Sequence, residues 1–145
     1  MNLFTSVIAL LIVLASTLVI SSTIYETIVY GTGFEEYNKA KHLMSTIDKH
    51  IEYMILGILD SKELYMNVYK SRFDVSDEHD TMKYTIEMES KLEDTEEHDL
   101  IINIYNNTAE ILLNYSGIVD IVGNLSKSNG FILYLERDND RILVK

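Results

Sequence analysis

Residues 25–59 read YETIVYGTGFEEYNKAKHLMSTIDKHIEYMILGIL, and the change of pattern inside this stretch decides the fold. Up to Tyr25 the chain has no charged side chain, although charged residues make up 24% of the whole. From Phe34 onward Tyr37, Ala40, Met44, Ile47, Ile51, Met54 and Ile58 recur three or four residues apart, while Glu36, Lys41, Asp48, Lys49 and Glu52 fall between them. That period predicts a helix with one apolar face, so this helix lies along something over its whole length. Gly31 and Gly33 interrupt the pattern, and Thr32 with Glu35 has capping-box spacing, which predicts a joint and a helix restarting there. The G-T-G does not read as a nucleotide loop, because no strand precedes it and no third glycine follows.

Toward the N-terminus lies MNLFTSVIALLIVLASTLVISSTIY. Roughly twenty apolar residues at about 1.5 Å each match a hydrocarbon core of about 30 Å, so the stretch fits one transmembrane helix. A cleavable signal would have a basic flank and a shorter apolar run. A buried core helix would need covering on all sides by roughly the whole remaining chain. The residues expected to pack in an assembly are Phe4, Val7, Leu10, Leu11, Leu14, Leu18 and Ile24, with Ser16, Ser21 and Ser22 small enough for close helix approach.

Toward the C-terminus the period becomes two. Leu64, Met66 and Val68 share one face, as do Met82, Tyr84, Ile86 and Met88, and then Leu100, Ile102 and Ile104. AEILLNY, GIVDIV, FILYLER and RILVK follow, spaced as in an antiparallel meander or small sandwich. Residues 137–141, RDNDR, read as the tip of the last hairpin, since Asn and Asp tolerate positive φ. The acidic stretch KLEDTEEHD at 91–99 reads as a mobile connection. The expected fold class is α+β, with a hydrophobic helix over 1–30, an amphipathic helix over 31–59 and an antiparallel β domain over 60–145.

The charge is equally segregated. All 12 Lys and Arg and all 23 Asp and Glu lie at or after Glu26, giving a net charge of −11. Such a surface repels phosphate backbones and lacks the basic stripe that nucleic-acid binding needs. There is no cysteine, so disulfides and thiolate metal sites are excluded, and no proline, so proline-rich linkers are excluded too. Three N-x-S/T sequons, at Asn106, Asn114 and Asn124, point to an extracytoplasmic C-terminal domain and to N-glycosylation there. The positive-inside rule adds nothing to this orientation, because no Lys or Arg precedes the apolar run.

Candidate chemistry is thin. His42 and His50 stand eight residues apart, too far for the i, i+4 pair of a helical zinc site. His79 in VSDEHDT and His98 in TEEHDL sit among Asp77, Glu78, Asp80, Glu96, Glu97 and Asp99. If those loops met they would offer oxygen ligands to a divalent cation, but the spacing fits no EF-hand, and a solvated acidic rim is the expectation. With no G-x-S-x-G, P-loop or S-x-x-K motif, neither enzyme activity nor a cofactor is expected. Of the ten tyrosines, Tyr84 falls on an inward phase, whereas Tyr65, Tyr69 and Tyr134 fall outward, as interface aromatics do.

An apolar helix running into IDKHIEYMILGILDSKE, then LYMNVYKSRFDVSDEHDTMKYTIEME and further strands, resembles archaeal proteins of the type IV pilin superfamily, including archaellum-type filament and accessory subunits. The resemblance covers nearly the whole chain as a pattern. It implies a structural subunit that self-associates through its N-terminal helix into a cell-surface filament. The alternative is a non-polymerising, membrane-anchored binding module of a surface machine. Two departures stand out: no basic leader precedes the apolar run, which implies a leader already removed or never cleaved, and Thr5 stands where many bacterial pilins carry a glutamate. The family supplies no catalytic residue.

Overall fold

A computed structural model describes residues 2–88, 100–105, 107–128 and 130–145, with 25–33 described as backbone only. The backbone is helical without a break over α1, Leu3–Ile55. Gly31 and Gly33 therefore do not end one helix, and no second helix starts at Thr32. Each glycine costs a helix only about 1 kcal/mol, which a helix already nucleated over many turns on either side can carry. The chain nevertheless divides into two compact units between Thr32 and Gly33.

In the unit from Gly33 to Lys145, Tyr37, Ala40, Met44, Ile47, Ile51 and Met54 form one buried stripe along α1, as the period predicts. Ile58 departs from it and is 71% exposed. The helix stops first. Gly57, at φ 75°, reverses the chain, with its N–H donating to the Met54 carbonyl and the Ile58 N–H to the Tyr53 carbonyl. This is a Schellman cap, which throws the following residue off the helix face.

The strands are β1 (Ser61–Met66), β2 (Ser71–Ser76), β3 (Thr81–Glu87), β4 (Ile101–Tyr105), β5 (Thr108–Asn114), β6 (Asp120–Val122), β7 (Leu125–Ser128), β8 (Phe131–Asp138) and β9 (Arg141–Val144). They form two sheets, ordered β1-β8-β9-β6 and β4-β5-β3-β2-β7. The expected antiparallel meander is thereby corrected on two counts. β6 runs parallel to β9, and β1 pairs with β8 from the far end of the chain, Leu64 opposite Leu133. Alternation specifies which face of a strand is buried, not which strand lies beside it. The last hairpin is as expected: Asp138 faces Arg141, and Asn139 takes φ 54°.

The inner faces of both sheets and the α1 stripe share one core. Phe73 stands at its centre, opposite Tyr84 in the β2–β3 register, with ring centroids 5.5 Å from Tyr84 and 5.8 Å from Phe131. One backbone approach is too close for any side chain. Gly123, at φ 153°, follows β6, and a Cβ there would collide with the Val144 carbonyl oxygen of β9. Gly123→Ala is expected to cost about 1–3 kcal/mol through overpacking, read as a lower urea midpoint with an unchanged slope.

A polar tie fixes α1 to the loop after β5. The Tyr115 hydroxyl donates to Asp48 Oδ1 at 2.7 Å. Burial pushes the Tyr115 phenol far above its ordinary pKa, and the bond to Asp48 adds to the rise. Tyr84 is raised too, by burial first, with the neighbouring Ser71 side chain opposing and the Glu36 charge adding. For a raised pKa the stabilising contribution is complete below the unfolded value of about 10 and is lost above it, where the unfolded chain ionises and the folded one does not. Stability should therefore fall steeply above about pH 10. Tyr115→Phe should cost about 1–3 kcal/mol at neutral pH and flatten part of that alkaline fall, as measured by urea unfolding across pH 7–11.

Candidate functional site

The unit before Gly33 consists of the first part of α1. Within it Leu3–Ile24 spans 22 residues at mean hydropathy 2.7, and none of that window is buried by the described residues. At about 1.5 Å per residue this length matches a bilayer core of about 30 Å. Every expected packing residue, Phe4, Val7, Leu10, Leu11, Leu14, Leu18 and Ile24, is exposed. So are Ile8, Ile12, Val13, Val19 and Ile20, so the apolar surface surrounds the helix rather than forming one stripe. Phe4, Val7, Leu11, Leu14 and Leu18, spaced three and four apart, share one side of it.

The hydroxyls on this helix do not oppose an apolar environment. Ser16 Oγ donates to the Ile12 carbonyl at 2.8 Å, Thr17 Oγ1 to Val13 at 2.8 Å, and Ser22 Oγ to Val19 at 3.0 Å. Each satisfies its donor on its own helix, so that a lipid surrounding would leave none of the three donors unpaired. An exposed helix with this surface is stable in lipid or against other helices, and unstable in water.

The acidic rim is divided. Asp77, Glu78 and Asp80 form the β2–β3 loop, whereas Glu96, Glu97, His98 and Asp99, with the expected mobile connection 91–99, lie outside the described residues. Asp77 Oδ1 accepts from Asn124 Nδ2 at 2.7 Å, and Asp80 Oδ1 accepts the Ile121 N–H at 2.8 Å. These two carboxylates thus tie the β2–β3 loop to the β6–β7 region. Among the described residues no group of three or more His, Asp or Glu side chains is arranged to hold a metal ion. His42 and His79 are exposed, and the His50 ring lies 2.7 Å from the Thr46 carbonyl on its own helix.

Two of the three sequons are described. Asn114 is exposed at the end of β5, and its Oδ1 accepts the Ser116 N–H at 3.0 Å. Asn124 is exposed with its amide nitrogen bound to Asp77, and Asn106 lies outside the described residues. Tyr65 and Tyr69 are exposed and Tyr84 is buried, as their phases predict, with Tyr134 half-buried. A feature that the alternation does not reveal is the free side of β4, Ile101–Tyr105, beyond which no strand lies among the described residues. The uncharged run Leu100–Ala109 was the signal for it. Comparison with protein-family models, curated proteins and solved structures finds no match for this chain.

Proposed function

We propose that this protein is a structural subunit of a pilin-like surface filament, held in the membrane by Leu3–Ile24 before assembly and by the same helices of neighbouring copies afterwards. The observation that carries this reading is the division of α1. Its first part is apolar on all sides and exposed among the described residues, while the stripe Tyr37, Ala40, Met44, Ile47, Ile51 and Met54 is buried in the core of the second unit. A globular unit is thus joined to a helix whose described side chains are apolar and exposed. At about 25 cal/mol per Å2 of apolar area, burying such a helix gains tens of kcal/mol gross relative to water and far less relative to lipid. Polymerisation from the membrane is therefore a balance between lipid and helix contacts, for which the row Phe4, Val7, Leu11, Leu14 and Leu18 is the natural seam. The resemblance to archaeal type IV pilins favours the filament, and the sequons Asn114 and Asn124, both exposed, support a β unit outside the cell.

Electron cryomicroscopy of material purified from native membranes tests this. Ordered filaments with the apolar helices at their centre are expected. Particles that stay monodisperse in detergent and never polymerise after its removal would replace the filament by a tethered, non-polymerising module.

A further inference from the structure

Among the described residues the two sheets end in four edges, β1, β6, β4 and β7, and three of them are guarded. A bare edge offers unpaired backbone groups to any passing chain, so edges are kept short or charged. β1 carries Lys62 and Glu63, β6 has three residues including Asp120, and β7 has four residues including Lys127. β4 reads Ile-Ile-Asn-Ile-Tyr, with neither charge nor proline. It lies in Leu100–Ala109, the longest uncharged run after Glu26 in a chain of net charge −11. Ile101 is 49% and Tyr105 55% exposed on one face, while Ile102 and Ile104 continue the core face half-buried, opposite Ile111 and Ala109 of β5.

We infer that the β4 edge pairs with β4 of a second copy of this chain, antiparallel and centred on Asn103. The occupant follows from the pattern, which matches itself when reversed. In that register Ile101 faces Tyr105, Ile102 faces Ile104 and Asn103 faces its own counterpart. Apolar side chains then meet on both faces, and the two core faces become continuous. A one-residue slip would set the core face of one copy beside the outer face of the other, so the pattern fixes the register. Neutrality selects the place as well, because two such acidic units repel wherever their carboxylates approach and β4 brings none. This two-fold contact closes at two copies and does not propagate, so it yields a dimer of β units separate from any helix-driven assembly.

The absence of cysteine makes the register directly readable. Asn103→Cys, in the exposed centre of β4, and Ser126→Cys, exposed on the opposite edge β7, are each introduced into the full chain in excess detergent micelles and exposed to oxygen. Directly opposed antiparallel residues stand about 4.5–5.5 Å apart at Cα, within disulfide reach. Asn103→Cys should give a disulfide-linked dimer in at least about tenfold higher yield than Ser126→Cys, because only the first is opposed to itself. Adding Ile101→Glu and Tyr105→Glu, which set carboxylate against carboxylate across the pair, should reduce that yield to the Ser126→Cys level. Equal yields from the two single variants, or a yield unmoved by the added glutamates, would overturn the pairing. Filaments without the disulfide would leave the helix reading standing, and the disulfide without filaments would leave only the β contact.

Discussion

Replacing Leu11 and Leu14 together with arginine should move the protein from the membrane fraction to the soluble or aggregated fraction. Both residues are exposed near the middle of Leu3–Ile24. An arginine at the centre of a spanning helix costs roughly 2.5–3.5 kcal/mol on insertion scales, so the pair costs about 5–7 kcal/mol. That is more than a thousandfold in partition, at 1.4 kcal/mol per factor of ten. The β unit should be indifferent, since no core residue lies in this stretch. Urea unfolding of the released protein should therefore match the parent within about 0.5 kcal/mol, the range for surface substitutions. Membrane flotation reads the first effect, and tyrosine fluorescence during unfolding reads the second.

The largest effect within the β unit is expected from Phe73→Ala. Phe73 is fully buried between Tyr84 and Phe131 and pairs across β2 with both β3 and β7. Truncating a buried phenylalanine costs about 3–5 kcal/mol, a large part of the 5–15 kcal/mol that holds a typical domain together. The midpoint of thermal unfolding should fall by more than 10 °C on the scale of about 4–8 °C per kcal/mol for a unit of this size. Ile132→Ala, on the exposed face of β8, provides the contrast and should shift it little.

The sequence makes the faces of elements legible far better than their partners. The α1 stripe from Tyr37 to Met54 and the inward set Met82, Tyr84, Ile86 and Met88 are buried as their periods require. Both follow from local geometry, three to four residues per helical turn and two per strand. Ile58 fits the helical period and is exposed, because Gly57 has already turned the chain. β2, SRFDVS, escapes notice because only Phe73 and Val75 mark its inner side and Arg72 and Asp74 occupy the outer one. β7, LSKS, has almost no apolar signal and owes its existence to pairing with Arg72–Val75 of β2. The parallel β6–β9 contact joins segments about twenty residues apart through three residues, which no local pattern encodes.

The candidate site divides in the same way. That Leu3–Ile24 is long and apolar enough to cross a membrane is a matter of composition, and it can be read from the sequence alone. The commitment of Asp77 and Asp80 to Asn124 and to the Ile121 amide cannot be, since it depends on the β2–β3 loop meeting the β6–β7 region. The β4 edge is intermediate: its neutrality is visible in the sequence, but its position at the end of a sheet is a property of the fold.

The most direct measurement places single nitroxide labels on the cysteine-free chain, one through Leu14→Cys and one through Ser45→Cys, with the protein in lipid bilayers. The account predicts that the label at 14 is reached by dissolved oxygen and shielded from a water-soluble nickel chelate, and that the label at 45 shows the reverse. A label at 14 as open to the chelate as the one at 45 would contradict it.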